Sequence, residues 1–372
     1  MKLNIARKSW IVLLAVALVL AVNVSGCISR RPEQQGSDQG NKPAEQAPSI
    51  TLNGAGASFP YPLYSKWIQE YKKVKPNVNI DYQSIGSSGG INNILNETVD
   101  FAGSDAPMTD EQLAKGRGSI LHIPTVAGAV VVTYNLEGVD KPLKLTPEVI
   151  AEVFLGNIKK WNDSKIASLN PELKLPDRDI AVVHRSDGSG TTNIFTDYLS
   201  KVSATWKDKV GKGTSVQWPL GIGAKGNEGV AGTVKQTPGS IGYVELAYAV
   251  QNKLPYASIR NKAGKFIEPS LETTTAAAAG AADNMPEDMR VSITDSPGEN
   301  AYPIAGYTYI LVYKDQKDKA KGEALVEFLW WAIHDGEKYA KDLLYAPLPE
   351  NVVKKAEEKI KQINYQGAPF IK

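Results

Sequence analysis

From Ile50 onward, the chain alternates short β-like runs with stretches whose apolar residues have helical spacing. Val78, Ile80 and Tyr82 fall on one face of a strand, because side chains of a strand point alternately to its two sides. The stretch 63–71 places its apolar residues three and four positions apart, which is typical of a helix buried along one face. Strands that alternate with helices in this way predict an α/β fold.

Strand-like and helix-like periodicities continue along the rest of the chain, in which no internal repeat is evident. Strands are predicted at 50–52, 78–82, 99–101, 127–133, 180–183, 241–244 and 309–313. Helices are predicted from Pro60 to residue 71 and at 91–95, 194–199, 325–333 and 352–363, and 276–282 is either a helix or a loop.

The first 27 residues have the pattern of a targeting segment. Basic residues precede an apolar run of thirteen residues at 10–22, and small residues at 24–26 precede Cys27. That run is too short to span a membrane comfortably but suits a signal peptide. We therefore expect residues 1–27 to be a lipoprotein signal peptide, with Cys27 lipidated and left as the new N-terminus. An uncleaved signal anchor with an incidental cysteine is the alternative.

Residues 28–49 are rich in Pro, Gln, Gly, Glu and Ser and show no apolar periodicity. This composition predicts a disordered tether that lets a folded body stand off the membrane. Together with Cys27, it predicts an extracytoplasmic protein that is anchored to the cell membrane by lipid.

Composition narrows the chemistry that the folded part can perform. The 372 residues include 42 basic and 40 acidic ones and carry a formal net charge of +2, without a long basic run. This argues against a large surface for nucleic acid. One cysteine excludes an internal disulfide and a cysteine-based zinc cluster, and the three histidines lack close metal-ligand spacing. We therefore expect no metal and no cofactor.

Four loops rich in Gly, Ser or Thr follow predicted strands, at 54–60, 86–90, 103–107 and 184–191, and three of them open a helix. In α/β sheets such loops gather beyond the carboxyl ends of the strands. Helix N-termini supply N–H groups and partial positive charge there, and hydroxyl groups add donors, so the pattern predicts a site for a small anion. The candidate ligands are Ser58, Phe59, Ser87, Ser189, Gly190 and Thr191. For Ser87 or Ser189 taken singly, a helix N-cap is the alternative.

Three charged residues refine this prediction. Arg185 supplies a planar guanidinium group that can donate to two oxyanion oxygens, and Asp187 can hold that group in position by pairing with it. Asp105 would repel an anion unless the anion carries a proton. Monobasic and dibasic phosphate have a P–OH group to donate, whereas sulfate has none, so Asp105 would select phosphate. A surface role for Arg185 and a turn role for Asp105 are the alternatives.

Two short motifs admit other functions. Residues 86–90 satisfy the G-x-S-x-G pattern of a hydrolase, with Ser88 as nucleophile and His334 as the best-placed histidine. Residues 221–226 satisfy G-x-G-x-x-G, but Pro219 makes the preceding segment a poor central strand. A loop leading into a helix near Asn227 is the preferred interpretation of the second motif.

The segments 54–60, 86–90, 100–107 and 185–191 resemble the ligand loops of the phosphate-binding protein of the high-affinity phosphate ABC transporter. Trp161 and the segments 239–245 and 345–349 also resemble that family. The resemblance runs in order from about Leu52 to the C-terminal region.

The resemblance implies a type II periplasmic-binding-protein fold, in which two α/β domains joined by crossing strands close on the ligand. Domain 1 would comprise 50–128 and 304–372, and domain 2 would comprise 129–303. The chain would cross near Gly128 and return at 302–307.

The resemblance also implies roles for individual residues. Ser58 and Phe59 would bind phosphate through hydroxyl and backbone N–H groups, and Ser87 would donate to it. Asp105 would accept the phosphate proton. The second half of the clamp would be Arg185, Ser189, Gly190 and Thr191, and Asp187 and Ser88 would support the site. Position 58 often holds threonine in relatives, and serine retains the hydroxyl.

The expected function is thus that of a monomeric, non-enzymatic receptor that binds inorganic phosphate and delivers it to the membrane permease of an ABC transporter. A serine hydrolase that uses Ser88 and a receptor for another oxyanion remain the alternatives.

Overall fold

The computed structural model describes residues 48–139 and 141–372. The predicted signal peptide, Cys27 and the tether up to residue 47 lie outside the described residues. Among the residues described, no helix combines the length and the apolar character needed to cross a membrane.

The strands of the described part are β1 (Ile50–Gly56), β2 (Val78–Ser84), β3 (Phe101–Ser104), β4 (Ile120–Tyr134), β5 (Lys144–Leu145), β6 (Ala181–Arg185), β7 (Ile222–Ala224), β8 (Ser240–Glu245), β9 (Ser258–Arg260), β10 (Phe266–Ile267), β11 (Ala305–Tyr313), β12 (Asn364–Tyr365) and β13 (Ala368–Pro369). The α-helices are α1 (Tyr61–Val74), α2 (Ser87–Leu95), α3 (Asp110–Leu113), α4 (Pro147–Phe154), α5 (Ser164–Ala167), α6 (Gly190–Val202), α7 (Ala204–Lys209), α8 (Gly226–Gln236), α9 (Leu246–Gln251), α10 (Leu271–Ala282), α11 (Lys319–Ile333), α12 (Lys338–Asp342) and α13 (Glu350–Lys361).

Eight strands form one mixed sheet in the order β2-β1-β3-β11-β4-β8-β6-β7. At one side β1 runs parallel to β2 and β3, and at the other β6 runs parallel to β7 and β8. The long strand β4 joins the two sides, because it pairs with β11 up to Ala129 and with β8 from Val130 onward. Both pairings are antiparallel.

The carboxyl ends of the two parallel sets face each other near the middle of β4. Ser104 ends β3 opposite Tyr309, which in turn lies opposite Pro124 of β4. Glu245 ends β8 opposite Val130 of β4. Pro124 and Val130, which mark the ends of β3 and β8 along β4, are six residues apart, or about 20 Å along the strand. Loops that leave the two sets are therefore directed toward one another.

Helices α1, α2, α6 and α8 follow β1, β2, β6 and β7 after short connections of one to four residues. Each buries an apolar stripe, as Leu63, Trp67 and Tyr71 do in α1. The indole of Trp67 also donates a hydrogen bond of 2.8 Å to the carbonyl of Gly336, which fixes α1 against the C-terminal helices. Four helix N-termini are thus held at the junction between the two sets of strands.

The predicted α/β architecture is confirmed, and three local predictions were wrong or incomplete. Val99 precedes β3, and 127–133 is only the end of the fifteen-residue β4. The start of β4 escaped prediction because His122 and Pro124 interrupt its apolar pattern, although every residue of the strand is buried. Segment 221–226 contains the short edge strand β7 where a loop was expected. Residues 276–282 are helical, within α10.

Candidate functional site

The four predicted loops meet at the junction of the two sets of strands. The backbone N–H of Ser88 donates to the carbonyl of Gly188 at 3.0 Å, and that of Gly190 donates to the hydroxyl of Ser87, also at 3.0 Å. A buried cluster of hydroxyl, amide and charged groups results, with the helix N-termini around it.

The first loop is anchored through both the hydroxyl of Ser58 and the carbonyl of Phe59. The Ser58 hydroxyl accepts hydrogen bonds from the backbone N–H and the side-chain amide of Asn227, at 3.1 and 2.9 Å. The Phe59 carbonyl accepts one of 2.7 Å from the phenol of Tyr345. The Phe59 ring packs so closely on Gly128 that a Cβ there would lie 2.5 Å from it. The backbone of this loop is therefore fixed on both sides.

Tyr345 also lies 3.0 Å from Oε2 of Glu245, a fully buried residue. The same Oε2 accepts from the backbone N–H of Ala247 at 2.9 Å, as the N-cap of α9. Burial raises the pKa of Glu245 well above its ordinary value, against the opposing effect of the Tyr345 hydrogen bond. Tyr345 thus links the first loop to the end of β8.

Ser87 and Asp105 form the second group. The Ser87 hydroxyl accepts from the backbone N–H groups of Asp105 and Gly190, at 3.2 and 3.0 Å. Asp105 is 3% exposed; its Oδ1 accepts from the Thr308 hydroxyl at 2.8 Å, and its Oδ2 lies 3.4 Å from the Ser87 hydroxyl. Burial raises the pKa of Asp105 to about 7, against the opposing effects of Thr308 and the nearby Arg185. Asp105 is therefore part of the cluster and not an exposed turn residue.

Arg185 provides the buried cation of the cluster. Its Nε and one terminal nitrogen donate to the two carboxylate oxygens of Asp187, at 2.7 and 2.5 Å, so the predicted pairing is confirmed. Asp187 also accepts from the backbone N–H of Gly226 at 3.1 Å. Burial acts to raise the pKa of Asp187, but the hydrogen bonds from Arg185 outweigh it and hold that pKa below its ordinary value. The other terminal nitrogen of Arg185 lies 3.4 Å from the Thr191 hydroxyl.

The last loop forms the N-terminus of α6. Ser189 is its N-cap, with its hydroxyl accepting from the backbone N–H of Thr192 at 3.0 Å. At Gly190, a Cβ would lie 2.5 Å from the Ser87 hydroxyl and 2.6 Å from Asp105, so only glycine fits. The structure brings all eight predicted ligands into one buried cluster: Ser58, Phe59, Ser87, Asp105, Arg185, Ser189, Gly190 and Thr191.

The hydrolase alternative needs a histidine next to Ser88. The Ser88 hydroxyl instead donates to the hydroxyl of Thr214 at 3.0 Å. His334 lies at the end of α11, between the carbonyl of Trp330 at 2.7 Å and the carboxylate of Glu357 at 2.8 Å. The geometry that would activate Ser88 as a nucleophile is not formed by these residues.

The two other histidines are also engaged elsewhere. His122 accepts from the backbone N–H of Met108 at 3.0 Å, and burial lowers its pKa to about 4. His184 stacks on the indole of Trp218, with ring centroids 4.8 Å apart. Within residues 48–139 and 141–372, no group of three or more His, Cys, Asp or Glu side chains could hold a metal ion.

Sequence reasoning missed two polar residues of the cluster, Asn227 and Thr308. Asn227 lies in the first turn of α8, after the short strand β7 and Gly226. The sequence pattern predicted a helix near Asn227 but not the strand before it, so this helix N-terminus was not connected with the strand-loop-helix pattern of the other loops. Thr308 stands between Tyr307 and Tyr309 in the buried strand β11, where the one non-aromatic polar side chain was the available signal.

Comparison with known proteins places this chain in a family. A model of the PBP superfamily domain matches residues 41–335. The phosphate-binding protein PstS of Xylella fastidiosa (strain Temecula1) is 48% identical over 349 residues, which cover 92% of this chain and 95% of that protein. The chain belongs to the PstS phosphate-binding protein family. PstS of Pasteurella multocida is 49% identical over 306 residues, covering 82% of this chain and 88% of that protein.

Membership of the PstS family confirms the resemblance seen in the loops. A phosphate-binding protein from Stenotrophomonas maltophilia has a similar solved structure, with a TM-score of 0.65 at 22% identity, covering 83% of this chain and 94% of that one. The fold is therefore the predicted type II periplasmic-binding-protein fold. The family consists of binding proteins, and the expectation of a non-enzymatic protein agrees with it.

Proposed function

We propose that this protein is an extracytoplasmic receptor that binds inorganic phosphate between its two domains and delivers it to the permease of an ABC transporter. The observation that carries the proposal is the buried pair of a cation, Arg185, and a carboxyl group, Asp105, within one cluster of hydroxyl and N–H donors.

The chemistry of the cluster suits an oxyanion that still carries a proton. Arg185 and the helix N-termini attract negative oxygens, and the hydroxyl groups donate to them. An ionised Asp105 accepts a hydrogen bond from a P–OH group. Sulfate at neutral pH has no such hydrogen, so it would leave two anions facing each other in a buried site. Phosphate is thus favoured over sulfate.

We assign the contacts by the position of each group. Ser58 and Phe59 would bind phosphate through hydroxyl and backbone N–H, and Ser87 through its hydroxyl. The guanidinium group of Arg185 would donate to phosphate oxygens, while Asp187 keeps that group in place. Ser189, Gly190 and Thr191 would contribute the N-terminus of α6, with the Ser189 hydroxyl already serving as a cap. Ser88 would support closure through Thr214.

The two domains would be 50–128 with 304–372, and 129–303. The change of partner along β4 at Ala129 and Val130 supports this boundary. Contacts such as that of Ser88 with Gly188 would then cross between the domains and form on closure. Phosphate bridges the two half-sites and so favours the closed form by its differential affinity.

Anchoring through a lipid on Cys27, a flexible tether over 28–49 and a monomeric state complete the proposal. The sequence pattern around Cys27 supports the lipid anchor, and the composition of residues 28–49 supports the tether. A tether would keep the receptor concentrated near the permease without fixing its orientation.

Isothermal titration of the phosphate-free protein with phosphate, arsenate and sulfate tests this function. Phosphate is expected to bind at least 10³-fold more tightly than sulfate, on the order of the discrimination that an unpaired buried partner produces. Equal affinities would refute the role of Asp105, and failure of phosphate to bind would refute the function itself. Stoichiometric labelling of Ser88 by a fluorophosphonate would instead favour the hydrolase.

A further inference from the structure

Asn227 connects the two halves of the cluster, although it carries no charge and opens a helix outside the four predicted loops. It is fully buried. Its side-chain nitrogen lies 2.9 Å from the Ser58 hydroxyl and 3.1 Å from the Thr191 hydroxyl. One amide thus contacts the first loop and the last.

The orientation of this amide is fixed by a third contact. The backbone N–H of Glu245 donates to Oδ1 of Asn227 at 2.9 Å. An N–H can only donate, so the oxygen must face Glu245 and the nitrogen must face the two hydroxyl groups. Both hydroxyl oxygens are therefore acceptors toward Asn227.

The lone pairs of the Ser58 and Thr191 hydroxyl oxygens are occupied by donors, so only the hydroxyl hydrogens remain for a ligand. A hydroxyl has two lone pairs and one hydrogen. The Ser58 oxygen accepts from the backbone N–H of Asn227 at 3.1 Å and from its side chain at 2.9 Å. The Thr191 oxygen accepts from Asn227 at 3.1 Å and lies 3.4 Å from a nitrogen of Arg185. Each oxygen is thus surrounded by groups that can only donate, and each hydrogen is left to point elsewhere.

We propose that Asn227 is a positioning residue that directs the hydroxyl hydrogens of Ser58 and Thr191 toward the bound phosphate. The inference rests on the proposed function. Donors held in this way need no reorientation when the anion arrives, so less of the binding free energy is lost in ordering them. Ser87 is arranged alike, but its two donors are backbone N–H groups.

Titration calorimetry on the full-length protein, purified in detergent and freed of phosphate, tests the proposal. Asn227→Ala is expected to weaken phosphate binding about 10- to 100-fold, because two hydroxyl donors to an anion lose their orientation. Asn170→Ala is a matched control, since Asn170 is fully buried and bonds only to backbone groups of Lys144 and Ile166. It should leave the affinity unchanged.

The same substitution in a protein that lacks both hydroxyl groups distinguishes a positioning role of Asn227 from a general structural role. In the Ser58→Ala/Thr191→Val protein, which has no hydroxyl hydrogens to direct, Asn227→Ala should weaken binding by less than about threefold. Asn227→Asp keeps the shape and the acceptor for Glu245 but invites both hydroxyls to donate to it. It should therefore bind phosphate more weakly than Asn227→Ala.

Results that would overturn the role of Asn227 differ from the result that would overturn the proposed function. An equal loss in both backgrounds, or no loss in the wild-type background, overturns the positioning role. An Asn227→Asp protein that binds as tightly as the wild type overturns it as well. A wild-type protein that fails to bind phosphate at all sinks the proposed function instead.

Discussion

Asp105→Asn is expected to raise the stability of the phosphate-free protein at alkaline pH while it weakens the selection of phosphate over sulfate. Asp105 is buried, and burial raises its pKa from 3.8 to about 7. The folded state therefore holds the carboxyl proton more tightly than the unfolded chain does. As pH rises from about 4 to about 7, the unfolded chain loses this proton first, and folding becomes less favourable.

The size of the effect follows from the shift. Each pKa unit corresponds to 1.36 kcal/mol, so a shift of about three units costs the wild type about 4 kcal/mol above pH 7. Asparagine has no charge to bury, and its amide oxygen can still accept from Thr308. We expect Asp105→Asn to be more stable than the wild type by a few kcal/mol at pH 8 and close to it at pH 4.

Urea denaturation of both proteins at pH 4 and pH 8 measures this difference. Asp197→Asn is a control of opposite sign. Asp197 is buried too, but hydrogen bonds from Lys212, Ser292 and Thr294 outweigh that burial and lower its pKa to about 2. Its stabilising contribution is present above pH 4 and is lost as pH falls toward 2, so this control should be destabilised at pH 8. A buried, ionised Asp105 in the wild type is excluded if Asp105→Asn is no more stable than the wild type at pH 8, or if the difference does not depend on pH.

Three further predictions concern binding and anchoring. Gly190→Ala should weaken phosphate binding at least tenfold in calorimetry, because its Cβ would meet Ser87 and Asp105, whereas Gly232→Ala in open space on α8 should leave it unchanged. Arg185→Ala should weaken phosphate and sulfate binding alike, by about 100-fold, and a loss confined to phosphate would contradict its role. Cells fed labelled fatty acid should incorporate the label into the wild-type protein and not into Cys27→Ser, and equal labelling of both proteins would refute the lipid anchor.

Sequence pattern alone was sufficient to predict those parts of the site whose residues lie close together in the chain. Asp187 follows Arg185 by two residues, and the pairing predicted from that spacing is present with both carboxylate oxygens engaged. Glycine at 190 also belongs to a local strand-loop-helix pattern. These features depend on where a strand ends and a helix begins, which periodicity and turn residues indicate.

The remaining parts depend on contacts between distant segments. Asn227 contacts Ser58 across 169 residues, and Thr308 contacts Asp105 across 203. No spacing rule joins such positions, and an isolated Thr within a strand or an isolated Asn in the first turn of a helix has many possible structural roles. The burial of Asp105, from which its raised pKa follows, became evident only with the sheet assembled around β4.

A crystal structure of the protein with phosphate tests the central claim most directly. The account predicts one phosphate within the cluster, with a P–OH oxygen about 2.5–2.7 Å from Asp105, a length typical of a charge-assisted O–H···O⁻ hydrogen bond. Other phosphate oxygens should contact Arg185 and the N-terminus of α6. A phosphate bound elsewhere, or bound in the cluster without contact to Asp105, would contradict it.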